Sequence, residues 1–427
     1  MVKTVAICGL GFVGCRAFRE LNGDKNIGII AIDAKDYFEN TPNSVECISD
    51  PTTTKKHLLN YTANAALKKD GVFKQGLITR ITSDGTTGEV TLASGEKIAF
   101  DYAILGTGSS YNQIKAPLTS QTTIPDRLAA LQSQQQAISS SDAVVVVGAG
   151  PVGVEMAAAV AETFPGKKVT LVCSGERVLD AFAVKASEIA AAWLLENGVT
   201  ILYNERVVDW GTATSESKGN ANTAAAATAA GDSGTAVVTD KGTSLTGLLF
   251  KCLGGKPNTS AFATNSPAIK LTSNGAILVE STLQVQGMPN ILAAGDVCST
   301  TEEKTANYAD YAGMVAAANV KMLINGKEEK ELMKFPAGYF KGQEKLPFAS
   351  GASLGKSNGV LQIGESDIQS GAAVGYMRAF FGKMIMGSVR GSWIWVGMYN
   401  VIKIMFAGQL AGLAKKAAES AAAAQVA

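Results

Sequence analysis

Histidine is nearly absent from this chain, which has a single one, His57, among its 427 residues. One imidazole argues against a multi-histidine metal site and against any chemistry that needs two imidazoles. We therefore expect no metal site. Because His57 follows Lys55 and Lys56, we expect it to be an ordinary surface residue.

Cysteine is sparse as well, and its six occurrences include no C-x-x-C pair. Scattered cysteines of this kind predict neither a disulfide framework nor a zinc ribbon. They indicate a reducing intracellular compartment, because disulfides persist mainly in oxidising ones.

Charge is scarce and balanced, with 38 Lys and Arg against 37 Asp and Glu, together 18% of the residues. The chain lacks the basic excess that binding to a phosphate backbone requires, so no nucleic-acid partner is expected. The mean hydropathy of +0.13 is apolar for a soluble protein and indicates a segment that touches a membrane or a partner.

A glycine motif opens the chain, where an apolar run from Val5 leads into G-x-G-x-x-G at Gly9, Gly11 and Gly14. In this motif one glycine makes a tight turn, one admits a pyrophosphate, and one packs a helix against the strand. Asp33 ends the next predicted strand, nineteen residues after Gly14, where an adenosine ribose needs a hydrogen-bond acceptor.

The same pattern recurs from Ala143, with Gly148, Gly150 and Gly153 at the motif positions. About twenty residues further on stands Cys173 rather than an acid, which weakens any expectation of strict NADH selectivity.

Two residues just beyond that cysteine, Ser174 and Arg177, could accept the 2′-phosphate of NADPH, so NADPH or both nicotinamide dinucleotides are expected. Two dinucleotide sites in one chain indicate an electron path, most economically from a nicotinamide to a bound flavin. Further predicted strands meet glycine at Thr107-Gly108, Gly254 and Gly295-Asp296.

With these motifs in this order, the chain resembles the two-dinucleotide-binding flavoproteins that include glutathione reductase, apoptosis-inducing factor and type II NADH dehydrogenases. Within them it is most similar to the ferroptosis-suppressor, or apoptosis-inducing-factor-like mitochondrion-associated, branch. The more specific matches are Asp33-x-Lys35-Asp36-x-Phe38, Gly153-Val154-Glu155-Met156, Cys252-x-Gly254-x-Lys256-x-Asn258, Lys304-x-Ala306 and Asn358-Gly359-Val360-x-Gln362-Ile363.

The resemblance implies an α/β fold with two Rossmann-like dinucleotide-binding domains of the glutathione-reductase type and a C-terminal α+β domain. The implied boundaries are 1–115 and 257–325 for a discontinuous FAD domain, 116–256 for an NAD(P) domain and 326–427 for the C-terminal domain. Within the NAD(P) domain, residues 211–236 contain no Val, Leu, Ile or aromatic residue, so they are predicted to form a low-complexity loop.

The implied activity is that of an FAD-dependent NAD(P)H:quinone oxidoreductase, with hydride passing from NADH or NADPH to FAD and electrons then passing to a membrane quinone. Gly9, Gly11, Gly14 and Asp33 would bind the adenosine end of FAD, and Asp296 its ribityl-pyrophosphate region. The second motif would bind the nicotinamide dinucleotide. Lys35, Thr107, Gly108, Gly254 and Gly295 are further candidates for cofactor binding.

Four residues are candidates for the reacting end of the site by the same resemblance. Glu155 would approach the nicotinamide and the flavin, and Lys304 is the second catalytic candidate. Tyr308 and Ala309 would belong to the quinone pocket. Helix-start electrostatics for Glu155 and simple core packing for Tyr308 remain the alternatives.

The C-terminal segment 391–414 carries one charge, Lys403, and includes Trp393 and Trp395. Its tryptophans and flanking bases favour a position in the membrane interface, with a partner-facing surface of a membrane complex or a true span as alternatives. We therefore expect a membrane-associated protein, with a mitochondrial or other organellar membrane and a homodimer as possibilities.

Two other functions remain open. The apolar tail also suits an FAD-binding structural or assembly subunit of a larger membrane complex. Cys47 lies roughly where single-cysteine NADH oxidases and peroxidases carry their redox thiol, although its surroundings in the sequence differ from theirs. No C-x4-C follows the first motif, so reduction of a disulfide through an enzyme dithiol is not expected.

Overall fold

The computed structural model describes residues 1–63, 67, 71–211, 236–336, 348–405, 408 and 412. Two largely parallel sheets form its centre, and one inner strand of each sheet leads into a glycine motif. The α/β fold class predicted from the sequence is confirmed.

The first sheet has six strands and, apart from one short edge strand, is parallel. In spatial order its strands are Gln284–Val285, Met288–Ala293, Tyr102–Leu105, Lys3–Cys8, Ile27–Asp33 and Gly71–Gln75. The second sheet is parallel throughout, with the order Val199–Tyr203, Lys168–Cys173, Ala143–Val147 and Leu248–Lys251.

Antiparallel strands supply the connections and the C-terminal sheet. Two pairs are Tyr37–Glu39 with Leu58–Asn60 and Ser109–Ser110 with Lys256–Pro257. The three-stranded sheets are Ile78–Ser83, Gly88–Leu92 and Lys97–Phe100; Val207–Asp209, Ala236–Thr239 and Ser244–Thr246; and, at the C-terminus, Ala349–Leu354, Asn358–Ile363 and Asp367–Ser370.

The α-helices cover the faces of these sheets. They are α1 (Phe12–Leu21), α2 (Ser44–Ser49), α3 (Ile124–Ser140), α4 (Pro151–Thr163), α5 (Val184–Glu196), α6 (Ser260–Ala263), α7 (Ala306–Ile324), α8 (Ala372–Val389) and α9 (393–405). Short 3-10 helices span Thr41–Asn43, Pro51–Lys56, Tyr61–Ala63, Gly295–Val297 and Glu329–Glu331.

Both sheets reverse their strand order at the strand that carries the glycine motif. Lys3–Cys8 lies between Ile27–Asp33 and Tyr102–Leu105, and Ala143–Val147 lies between Lys168–Cys173 and Leu248–Lys251. A crevice forms outside the carboxyl ends of parallel strands at such a switch point, and ligands of open α/β sheets bind there. The topology therefore places both motifs at ligand-binding positions.

The C-terminal sheet contributes to both hydrophobic cores. Ala352, Leu354 and Val360 pack in the core of the second sheet, whereas Ala349 and Ile363 pack in the core of the first. Because alternate residues of a strand face opposite sides, one sheet can serve two cores. The C-terminal sheet therefore joins the two dinucleotide-binding units.

Two sequence predictions concern segments that the structure describes in part. Strands Val207–Asp209 and Ala236–Thr239 pair antiparallel, and the predicted low-complexity loop between them lies outside the described residues except at its ends. Of segment 391–414, residues 391–405, 408 and 412 are described. Within the part of the chain that is described, no helix has both the length and the apolar character that a membrane span requires.

His57 is buried, with 6% of its surface exposed, so the expected surface position is wrong. It lies beneath α8, where a Cβ atom at Gly382 would stand 3.8 Å from the imidazole Cε1 atom. Neither ring nitrogen has a hydrogen-bond partner among the described residues. Burial lowers the pKa of His57 to about 4, with Lys56 and Arg378 acting in the same direction and Glu46 opposing.

This burial predicts an acid sensitivity. Between the ordinary imidazole pKa of about 6.5 and the folded-state value, the unfolded chain binds a proton that the folded chain does not, so stability falls as pH falls through that window. In His57→Phe this contribution disappears. Thermal unfolding between pH 7 and pH 4 should show a smaller drop in melting temperature for the variant, and equal drops would contradict the assignment.

Candidate active site

A cavity of about 1540 Å³ is lined by residues from both dinucleotide units and from the C-terminal elements. Pockets for one ordinary ligand measure roughly 300–1,000 Å³, so this cavity has room for more than one. Most of the predicted site residues line it, namely Gly9, Gly11, Asp33, Lys35, Thr107, Gly108, Gly150, Glu155, Gly254, Asp296, Lys304 and Ala309.

The other predicted residues do not line this cavity. Gly14 and Gly153 pack against the motif turns, and Gly148 packs against the carbonyl group of Cys252. Gly295 packs against Val13 and Ala309. The remaining three are Ser174, Arg177 and Tyr308.

The helices that start at the two motifs have uncapped N-termini. Helix α1 begins after Gly11 and α4 after Gly150, and neither has a capping side chain, whereas threonine side chains cap α3 and α7. A Cβ atom at Gly11 or Gly150 would meet no atom within 4 Å, and both residues line the cavity. Free backbone N–H groups with open space in front suit a pyrophosphate, so each motif fits a dinucleotide.

The other glycines of each motif are required by close backbone packing. A Cβ atom at Gly14 would overlap the carbonyl oxygen of Gly9, and one at Gly153 would overlap that of Gly148. Gly9 and Gly148 have φ of +95° and +104°, in the left-handed region that favours glycine. These contacts hold the start of each helix against the end of its strand.

Asp33 stands where the sequence predicted an acceptor for a ribose. Its Oδ2 atom accepts a hydrogen bond from the backbone N–H of Leu10 at 2.6 Å, and Oδ1 accepts one from that of Lys35 at 2.9 Å. Burial raises the pKa of Asp33, and the nearby Lys35 and these backbone donors oppose the rise. The carboxylate is thus held beside the Leu10 backbone in a residue that lines the cavity.

Asp296 has two partners that sequence reasoning missed. Its Oδ2 atom accepts hydrogen bonds from the Ser109 hydroxyl at 2.7 Å and from Lys115 Nζ at 3.2 Å, and all three residues line the cavity. No motif marks Ser109 or Lys115, because each is close to Asp296 only in the folded chain. Together they form a polar end of the cavity.

The Lys304 amine is held by its own loop. Nζ donates to the carbonyl oxygens of Gly295, Cys298 and Thr300 at 2.8–3.3 Å and lies 3.3 Å from Glu302 Oε1. These contacts close the loop between the last strand of the first sheet and α7. The side chain lines the cavity, but its donors are engaged in positioning this loop.

Glu155 lies near the start of α4 and is bound by the C-terminal sheet. Its Oε1 atom accepts hydrogen bonds from the Ser353 backbone N–H at 2.9 Å and the Ser353 hydroxyl at 2.7 Å. Burial raises the pKa of Glu155, and both hydrogen bonds and the charge of Arg378 oppose the rise. The sequence analysis did not identify Ser353, since 198 residues separate the pair.

The two residues predicted to accept the 2′-phosphate of NADPH differ in how available their side chains are. Ser174 is exposed at the end of its strand. Arg177 donates to the carbonyl oxygens of Phe182 and Asp180 at 2.6 and 2.5 Å. Two guanidinium nitrogens are therefore engaged in the loop, which reduces what Arg177 has available for a phosphate.

Helices α8 and α9 form an apolar wall that sequence reasoning did not assign to the site. Met377, Phe381 and Ile385 line the cavity from α8, and Ile402 and Met405 line it from α9. The apolar content of the segment was visible in the sequence, but which of its residues face the cavity was not. This wall and the glycine motifs line the same cavity.

Tyr308 and Cys47 are both buried and neither lines the cavity. Tyr308 is 1% exposed and packs in the core of the first sheet. Cys47 is 3% exposed, and burial raises the pKa of its thiol to about 11. A redox thiol needs access and thiolate character, and Cys47 has neither.

Among the described residues no group of His, Cys, Asp and Glu side chains could hold a metal ion.

Comparison with known proteins shows that this chain belongs to a family of flavoproteins. The family model for pyridine nucleotide-disulphide oxidoreductases matches residues 3–315. The chain is 31% identical over 371 residues to ferroptosis suppressor protein 1 of Mus musculus, a match that covers 84% of this chain and 88% of that protein.

Two solved structures share the fold. The sulfide:quinone oxidoreductase from Aquifex aeolicus superposes with a TM-score of 0.67 at 16% identity, covering 91% of this chain and 92% of that one. NDH2 from Plasmodium falciparum, solved in complex with NADH, gives a TM-score of 0.64 at 15% identity, covering 92% and 99%.

The position of Cys47 predicts that its thiol has no part in catalysis. In Cys47→Ser, turnover with NADH or NADPH should stay within about twofold of the parent, because the thiol is protonated and shielded from the cavity. Steady-state rates of the two proteins, normalised to flavin content, test this. A loss of a hundredfold or more would restore the single-cysteine mechanism.

Proposed function

Because this chain belongs to the pyridine nucleotide-disulphide oxidoreductase family and is an FAD-dependent NAD(P)H oxidoreductase, we propose that its electron acceptor is a membrane quinone. The observation that carries the proposal is the apolar wall that α8 and α9 contribute to the same cavity as the dinucleotide motifs. An apolar ring with an isoprenoid tail matches such a wall, whereas a sugar or a peptide does not.

The polar side of the cavity supports the assignment of the two dinucleotides. We propose that FAD lies over α1, with Asp33 accepting hydrogen bonds from its ribose and Asp296 placed near its ribityl-pyrophosphate region. NAD(P)H would lie over α4, with Glu155 at the nicotinamide. The chemistry that FAD supplies when bound is acceptance of a hydride from NAD(P)H and transfer of two electrons onward.

The residues around this path position groups and exclude water. Lys304 and its loop, together with Ala309 at the start of α7, would flank the flavin and the quinone. Met377, Phe381 and Ile402 keep water from the acceptor side. Since all six cysteines are free and no C-x4-C follows the first motif, a dithiol relay is not proposed.

Buried charges fix α9 to the body of the protein. Lys403 is 7% exposed, and its Nζ atom lies 3.5 Å from Asp310 Oδ2 and 2.5 Å from Asn307 Oδ1, both on α7. Arg16 of α1 lies 3.6 Å from the same carboxylate. Losing one partner of a buried pair costs roughly 3–5 kcal/mol, so this cluster sets which face of α9 points inward.

The opposite face of α9 is apolar and exposed, which supports a peripheral membrane position. Trp393 is 81% exposed and Ile404 67%, with Ile394 and Val401 also exposed. Tyr376 and Phe380 of α8 are exposed as well. Exposed apolar residues concentrated on neighbouring helices mark a membrane or protein contact, and we propose the membrane of an intracellular, reducing compartment.

The domain division expected from the sequence remains a proposal that the sheets support. The first sheet takes strands from residues 3–105 and 284–293, as a discontinuous FAD domain of 1–115 and 257–325 requires. The second sheet lies within 143–251, inside the proposed NAD(P) domain. Residues 326–427 would form the C-terminal domain.

The proposed acceptor can be tested by rapid mixing. Flavin absorbance of the purified protein should bleach with NADH or NADPH and return when a short-chain ubiquinone analogue is added. Oxidised glutathione should not restore it at a comparable rate, because the chain has no dithiol relay. Bleaching that is reversed by no quinone would rule out the acceptor while leaving the NAD(P)H half-reaction intact.

The proposed membrane surface predicts that membrane binding can be lost while flavin binding is retained. Replacing Trp393, Ile394 and Ile404 by serine removes three apolar side chains, each worth on the order of tenfold in partitioning, so binding to lipid vesicles should fall by at least a hundredfold. Flavin content should be unchanged.

The matched control is replacement of two exposed apolar residues of α5, Val184→Ser and Leu195→Ser, which are 59% and 56% exposed. They lie away from α8 and α9, so vesicle sedimentation should match that of the parent. Equal loss of binding in both variants would contradict a specific membrane surface.

A further inference from the structure

Two carboxylates on one side of α4 hold the same C-terminal hairpin. Glu155 accepts from the backbone N–H and the hydroxyl of Ser353, and Glu162 accepts from the backbone N–H of Lys356 at 2.7 Å. Seven residues, or about two turns, separate the glutamates, so both lie on one face of the helix. The hairpin turn between the first two strands of the C-terminal sheet is thereby fixed along α4.

The two contacts differ in where they lie. Glu155 and Ser353 both line the cavity, whereas Glu162 and Lys356 lie beyond it, where Lys356 Nζ is also 2.8 Å from Asp50 Oδ2. The Glu162 contact therefore serves as an internal comparison. It ties the same hairpin to the same helix without contributing to the cavity wall.

Ser353 restricts both the orientation and the charge of the Glu155 side chain. A glutamate has three rotatable side-chain bonds, and two hydrogen bonds to Oε1 remove most of that freedom. Hydrogen bonds to a carboxylate also favour its ionised form, against the burial that raises the pKa of Glu155. Without the Ser353 hydroxyl, Glu155 would be less ordered and its pKa would rise further.

We propose that Ser353 is a positioning residue for nicotinamide binding: by holding Oε1 of Glu155, it presents Oε2 to the carboxamide N–H of NAD(P)H. This rests on the proposed location of Glu155 at the nicotinamide. A carboxylate is an acceptor and a carboxamide N–H is a donor, so the pair is complementary. In this proposal the C-terminal sheet contributes to recognition of the NAD(P)H that binds at the second dinucleotide unit.

Several other titratable groups face Glu155 and stay in place in the test. Arg378 reaches it from α8 and is itself 3.1 Å from Glu46 Oε2, and Tyr111 and Cys252 approach from the connections between the two sheets. Glu162 and Lys356 lie further along α4 and the hairpin.

The test compares Ser353→Ala, Ser353→Thr and Glu162→Ala. Binding of NAD⁺ to the flavin-containing protein is measured by calorimetry from pH 5 to pH 9, beside the rate of flavin reduction by NADH. Ser353→Ala should weaken NAD⁺ binding roughly tenfold, as expected for loss of a charge-assisted hydrogen bond. Its binding should also begin to weaken at a higher pH than in the parent, since Glu155 is protonated earlier on acidification.

The two other variants separate positioning from folding. Ser353→Thr retains the hydroxyl and should restore both affinity and pH profile. Glu162→Ala loosens the same hairpin and should lower the melting temperature without changing either. Unchanged affinity and pH profile in Ser353→Ala, or equal changes in Glu162→Ala, would overturn the proposal. Because NAD⁺ binding is measured directly, failure of quinone to reoxidise the flavin would leave this result interpretable.

Discussion

Close approach of backbones at four glycines is the constraint on which the site depends. Gly9 and Gly148 turn beneath the carbonyl groups of Gly106 and Cys252, where a Cβ atom would overlap them. Gly14 and Gly153 then seat each helix on its own turn. With the helix starts fixed in this way, the uncapped N-termini of α1 and α4 line one cavity.

A second level of organisation comes from the C-terminal region, which joins the two units through polar contacts across long sequence separations. Ser353 holds Glu155, Lys356 pairs with Asp50, and Arg378 pairs with Glu46. The same region supplies the apolar wall of the cavity and the exposed face of α9. The proposed nicotinamide site, the proposed quinone site and the proposed membrane surface therefore all involve this one region.

The site shows where sequence reasoning was effective and where it was not. The positions of the motif glycines, Asp33 and Asp296 at the ends of strands could be predicted because this local geometry recurs at fixed spacing. Tyr308 and Lys304 were also selected from a sequence motif. In the structure, however, Tyr308 lies in the core and the Lys304 amine is bound by its own loop. Side-chain direction and competing partners are properties of packing, and spacing does not encode them.

The two dinucleotide units and their order follow from the amino-acid sequence, because apolar strands and glycines recur there at fixed spacing. The burial of His57, the contacts of Ser109 and Lys115 with Asp296, and the hydrogen bonds from Ser353 to Glu155 depend on tertiary packing. These pairings arise where distant segments meet at the ends of the sheets. Their physical basis is complementarity of donors, acceptors and apolar surface in three dimensions, which no local pattern contains.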